Sequence, residues 1–113
     1  MVRIKVWADT HSTGVIAEIG EYLFQEETTI SDNTWANLQK WVDDYDFIIP
    51  LSEEDRKMYQ VQIKELDIRG LALLRQIRSE WTRDPKTDEE IELLYFSEGL
   101  QKYLSIDGEI VIQ

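Results

Sequence analysis

The sequence predicts an α+β fold: a two-layer sandwich in which a mixed β-sheet carries two helices on one face, with a β-hairpin at the C-terminus. Three stretches predict it. Val2 to Asp9 alternates, with Val2, Ile4, Val6 and Ala8 on one side and Arg3, Lys5, Trp7 and Asp9 on the other, as in a half-buried strand. Tyr59, Ile63, Leu66, Gly70, Leu73/Leu74, Ile77 and Trp81 recur at gaps of three or four, which puts them on one face of a helix. Asp107-Gly108 stands between Tyr103 to Ile106 and Glu109 to Ile112, the pattern of a hairpin closed by a tight primed turn.

In chain order, the turn cluster Thr10-His11-Ser12-Thr13-Gly14 follows the first strand, and Val15-Ile16-Ala17 resumes an apolar run, so the two strands form a hairpin. Glu18 to Glu27 is interrupted by Gly20, and Tyr22-Leu23-Phe24 fits a third short strand or a packed loop. Ser31 opens a helix, with Asp32 in its first turn and Trp35, Leu38, Trp41/Val42 and Tyr45 at helical spacing. Phe47-Ile48-Ile49-Pro50 reads as a buried connector. The long helix, about 52–82, starts at the capping residue Ser52 with Glu53, Glu54 and Asp55 on its positive end. Arg78, Arg83 and Asp84-Pro85 mark its stop. Within it, Gly70 is expected to permit close packing.

Glu90 to Phe96 is the next strand, a parallel neighbour of the first by a right-handed crossover. Its outer residues Glu90 and Glu92 would then complement Arg3 and Lys5. Ser97 to Gln101 links it to the terminal hairpin. Trp35, Trp41, Tyr59 and Trp81 are expected in the core. Trp7 falls on the face of Arg3 and Lys5, either covered by the terminal hairpin or exposed as an anchor for a partner.

With 113 residues, 42% of them hydrophobic, the chain supports one globular domain, 1–113. It has no cysteine, hence neither a disulfide framework nor a thiolate zinc site. The N-terminus is charged through its apolar residues, so neither a signal peptide nor a membrane span is expected there and a cytoplasmic protein is. Net charge is −11, and it is unevenly placed. From Asp9 to Asp55 there are twelve carboxylates against Lys40 alone, whereas the long helix carries six charges of each sign. A nucleic acid or an anionic membrane needs the opposite field, so neither is an expected partner, and a basic protein is.

Asp9, His11 and Ser12 are the residue types of a catalytic triad, but neighbours in a tight turn point apart, whereas a triad converges from separate elements. As metal ligands, Asp9 and His11 lack further His or Cys. Among 23 acids, pairs such as Glu26-Glu27, Asp43-Asp44 and Asp88-Glu89-Glu90 are expected by composition, and solvated faces account for them. No cofactor or metal is expected, and no catalytic residue. One group breaks a local rule. Asp43, Asp44 and Asp46 lie in the last turn of the Ser31 helix, where the dipole is negative and each acid costs about 0.3 kcal/mol. Such departures are where function concentrates. These acids, with Tyr45, Glu53, Glu54, Asp55, Glu26 and Glu27, compose a candidate acidic docking surface, to which Trp7 could add an anchor.

Lys5-Val6-Trp7-Ala8-Asp9, the following Ser/Gly turn, Ile30-Ser31 opening a helix with Trp41 and Tyr45, Gly70-Leu71-Ala72-Leu73-Leu74-Arg75 and the strand end Leu94-Tyr95-Phe96 together resemble a loose group of small acidic bacterial proteins. Some members of that group are suspected immunity proteins of polymorphic or contact-dependent toxin systems. The resemblance covers most of the chain through short apolar motifs, which speak for fold and transfer no catalytic residue. Ser105 to Gln113 departs from the group's pattern. The negative charge gathered in Asp9 to Asp55, the small compact domain and the absence of site chemistry lead to the expectation of a non-enzymatic binding protein, an immunity-type inhibitor that neutralises a basic toxin domain. Two alternatives remain: an interaction or adaptor domain, monomeric or homodimeric through the edge Glu109 to Gln113, and a small hydrolase or metal-dependent enzyme using Asp9, His11 and scattered carboxylates.

Overall fold

The structure, a computed structural model, describes residues 1–9, 12–17 and 20–111. The strands are β1 (Val2–Val6), β2 (Val15–Ala17), β3 (Ile91–Ser97) and β4 (Lys102–Leu104). They form one mixed sheet in the order β2-β1-β3-β4, with β1 and β3 parallel at its centre and both edge strands antiparallel to their neighbours. The helices are α1 (Asp32–Tyr45), the short α2 (Glu53–Arg56) and α3 (Gln60–Glu80). A 3-10 turn, Lys57–Tyr59, joins α2 to α3, so helical backbone runs unbroken for 28 residues. The expected α+β architecture is present. No helix among the described residues is long and apolar enough to cross a membrane.

Alternation places the central strands. Val2, Ile4 and Val6 lie in register with Ile91, Leu93 and Tyr95 and face the helices, which close over them with Leu38, Trp41, Leu66, Leu74 and Ile77. Trp41 and Trp81 are in the core, and Trp35 and Tyr59 pack against its margin. Gly70 is where helix meets sheet: a Cβ there would run into the Tyr95 ring, so any side chain would force the ring or the helix to shift. On the outer face, Arg3 meets Glu92 at 3.0 Å, as the register demands, while Glu90 turns to Arg83 at 3.7 Å. Lys5 lies over the Tyr103 ring, 5.3 Å from its centroid.

The long helix occupies the expected stretch and ends at Glu80, after which Trp81 turns extended (φ −136°, ψ 94°) with its indole buried. Three expectations need correction, the first of them within this helix. Its first turns tighten at Tyr59 (φ −117°, ψ 23°), whose ring packs on Phe47. The connector 47–50 is not buried as a whole: Ile48 is, whereas Phe47 is half exposed and Pro50 exposed. The terminal hairpin closes, with Ser105 N donating to Glu109 O and Val111 N to Tyr103 O, but not by a primed turn. Gly108 N donates to Ser105 O, so Ile106-Asp107 are the central pair, and among the described residues neither has the positive φ that a primed turn requires. Gly108 follows them at φ 82°. Its pairing partner is β4, which itself folds back on β3 through 98–101. Tyr22 bridges Ile16 and Leu23 N donates to Val15 O before the chain turns through Gln25–Glu27, so 22–24 follows β2 without forming a strand, with Tyr22 and Phe24 exposed and Leu23 half-buried; Glu18 and Ile19 lie outside the described residues.

Candidate interaction surface

The two helices run antiparallel, held at one end by Thr34 against Glu80 and at the other by Tyr45 against Asp67. The long helix therefore continues past the end of α1 for residues 53–65, about 20 Å at 1.5 Å per residue. Segment 46–52 folds back along this overhang. Ile48 is buried, Arg56 Nη2 donates to Ile49 O at 3.0 Å, and the Phe47 ring meets Tyr59 edge-on at 5.5 Å. The first turn of the long helix is capped by Ser52, whose Oγ accepts from Asp55 N.

The last turn of α1 and, farther along the overhang, the first turn of the long helix carry most of the acids singled out from the sequence. Asp43, Asp46, Glu53, Glu54 and Asp55 are exposed. Asp44 is held by Arg69 of α3 at 2.9 Å, and Glu54 lies 3.4 Å from Lys57. Asp43, Asp46, Glu53 and Asp55 have no ion pair among the described residues, and the last turn of α1 contains no basic residue. Their charges act on solvent.

Tyr45 does not belong to this surface. It is fully buried, because it continues the Leu38–Trp41 stripe that faces α3. Its hydroxyl donates to Asp67 Oδ1 at 2.7 Å, and Tyr95 donates to the same oxygen at 2.6 Å. Ser97 Oγ (2.6 Å) and Gly99 N (3.3 Å) donate to Asp67 Oδ2. One carboxylate thereby ties α1, α3, β3 and the turn after β3. Burial, then Asp67, raises the Tyr45 hydroxyl above its usual pKa; burial, then the adjacent Tyr45 and Asp67, raises that of Tyr95. Asp67 escaped notice in the sequence as one acid of a charged helix, although it directly follows Leu66, at the edge of the core face.

Trp7 is half-buried and stacks on Phe96, with centroids 4.7 Å apart. Phe96 in turn contacts Tyr103 of β4. Trp7 Nε1 donates to Glu98 Oε1 at 2.8 Å, and the other oxygen of Glu98 accepts from Arg56 (2.9 Å) and Gln101 (3.1 Å). Glu98 is 7% exposed, a buried carboxylate made tolerable by these three donors. Gln101, in the left-handed region at φ 55°, is fixed by the same bonds. A cleft of about 510 Å³ opens here, between Leu51, Glu53, Gln60 and Gly99. Trp7 is therefore a structural member of the sheet's outer face.

Glu26 and Glu27 lie elsewhere. Glu27 shares a crevice with Val2, Trp81 and Ile91, at the start of the parallel strands, whereas Glu98 follows the end of β3. Glu27 accepts from Phe24 N at 2.9 Å and approaches Lys86 at 3.8 Å. At the first turn, Ser12 is buried, its hydroxyl accepting from Gly14 N and donating to Trp7 O, and Tyr22 donates to Asp9; His11 lies outside the described residues. No protein-family model, curated protein or solved structure matches the chain.

Proposed function

We propose that the protein is a non-enzymatic binding protein of the cytoplasm that captures a basic protein through the acids at the α1 end of the molecule, in the manner of an immunity protein occluding a toxin domain. The observation that carries this is the set Asp43, Asp46, Glu53 and Asp55, exposed and without an ion pair among the described residues. Two of them oppose the dipole at the end of α1, an arrangement that costs stability and supplies field. Such a field speeds encounter with a cation-rich surface and sets its orientation.

The test is capture of the product of the adjacent gene by the purified protein at low salt, followed by assay of that product's toxicity with and without it. Binding is expected to weaken as salt rises toward 1 M, where screening shortens to about 3 Å. A non-basic neighbour, or a basic one that is neither bound nor neutralised, removes the proposal. Binding that salt leaves unchanged would point to an adaptor role resting on apolar contact.

A further inference from the structure

Asp107 is the single aspartate of the chain that a glycine follows. The difference is chemical. A main-chain nitrogen can attack the carboxyl carbon of the preceding aspartate, and a side chain on the residue that carries the nitrogen hinders it; glycine has none. The other aspartates lie in helices, precede Pro85, which has no N–H, or precede residues with larger side chains. The structure leaves the site open. Asp107 is exposed in the turn between β4 and 109–111, and its carboxylate has no ion pair among the described residues. A Cβ built on Gly108 would meet only Leu71, at 3.9 Å, so no packed wall stands over Gly108. Ser105 opposes the reaction. Its carbonyl accepts from Gly108 N at 2.9 Å, a bond lost when that nitrogen gives up its hydrogen. Its Oγ accepts from Asp107 N (3.3 Å) and Glu109 N (3.4 Å), which holds the turn closed.

We infer that Asp107-Gly108 is a modification site, where isoaspartate forms spontaneously at a rate set by the Ser105 clamp. Gly108 N bonds to Asp107 Cγ, the nitrogen loses its hydrogen, and the protonated carboxyl loses its hydroxyl, so that one water leaves and a succinimide ring remains. Water then adds back. Opening at Cγ restores aspartate, whereas opening at the main-chain carbonyl of Asp107 routes the chain through Cγ. Mass and formal charge end unchanged, but the main chain gains one methylene. That methylene falls inside the hairpin closed by Ser105 N to Glu109 O and Val111 N to Tyr103 O. It also adjoins Ile106, whose carbonyl accepts from Arg75 Nε of α3 at 3.2 Å, so the product loosens the hairpin from the long helix. The inference is independent of the proposed acidic surface.

The experiment ages the full chain at mildly acidic pH, where part of the carboxyl is protonated, beside an unfolded synthetic peptide of residues 103–113. Peptide mapping by mass spectrometry reads isoaspartate at each aspartate as an isomer of equal mass and different retention. In the full chain, isoaspartate is expected at Asp107 before any other position, and more slowly than in the peptide, which lacks the clamp. Ser105→Ala is expected to speed it severalfold with the melting temperature nearly unchanged. Asp107→Glu, whose longer side chain closes a ring far less readily, is expected to abolish it. No isoaspartate at Asp107 while the peptide converts, or equal accumulation at aspartates that larger residues follow, would overturn the site. A rate equal to that of the peptide, or one that Ser105→Ala leaves unchanged, would overturn the clamp.

Discussion

The two ends of the long helix treat charge in opposite ways. At the C-terminal end Glu80 is fully engaged: Oε1 accepts from Ser31 N, and Oε2 accepts from Thr34 Oγ1 and Gln76 Nε2. These bonds, Thr34 foremost, hold its carboxyl down at about 2, well below the ordinary 4.5. Arg78, two residues before, donates to Ile91 O and ties the helix to β3. At the N-terminal end Glu53 and Asp55 face solvent, and so do Met58 and Val61. In a chain this acidic, the presence of a carboxylate says little. How many donors meet it separates acids that hold the fold from acids that remain available to a partner.

Asp67 lies between the two ends and offers the largest test of that contrast. Asp67→Ala would leave the hydroxyls of Tyr45, Tyr95 and Ser97 without their acceptor, and a loss of about 3–5 kcal/mol in denaturant unfolding is expected. A loss below about 1 kcal/mol would show that the cluster is dispensable. The two tyrosines also fix an alkaline limit. Their folded pKa values lie above the ordinary 10, so their contribution is intact below pH 10 and declines above it, as the unfolded chain ionises first. Alkaline unfolding followed by circular dichroism checks this.

Gly70→Ala comes next. Alanine is favoured over glycine in a helix by about 1 kcal/mol, yet here its methyl would press into Tyr95, and a net loss of roughly 1–3 kcal/mol is expected. A gain in stability would mean that the ring can shift aside. Glu80→Gln is smaller, about 1 kcal/mol at neutral pH, the scale of a lost helix cap. Because its pKa is lowered, its contribution is present above 4.5 and lost as pH falls toward about 2. Urea unfolding across that window should be steeper for the parent than for the variant. The smallest effect belongs to the other end. Asp43→Asn with Asp46→Asn should change stability by no more than about 0.5 kcal/mol, and upward, since each removes an anion from a helix C-terminus. A substantial loss would recast these acids as structural.

Much of the fold was legible because its signals are local. Alternation over Val2 to Ala8 and Ile91 to Tyr95 named the buried faces, and the paired charges Arg3 and Glu92 followed from the parallel arrangement. Ser31 and Ser52 marked both helix starts, and Gly70 announced a close approach. The candidate surface was half legible. Asp43, Asp46 and Glu53 to Asp55 stood out as charges against a dipole or on a capped turn, but periodicity alone already placed Tyr45 among buried residues.

By itself, then, the sequence determined which residues are helical, which extended, which face is apolar and where the negative charge is concentrated. These depend on spacing and on neighbours within a turn or a strand pair. Only the tertiary structure decided which charges are consumed. Asp67, Glu98 and Glu80 meet donors 22 to 91 positions away, joined at Glu98 and Glu80 by one donor three or four positions off. Glu27 goes to the other end of the sheet, beside Asp84 and Lys86 and away from the acids of α1. The long helix, which organises the sheet from its middle and binds α1 at its C-terminal end, leaves its first turns free of α1. The physical reason is range: hydrogen bonds and burial that neutralise a side chain form between elements brought together by folding, and residue spacing along the chain carries no record of them.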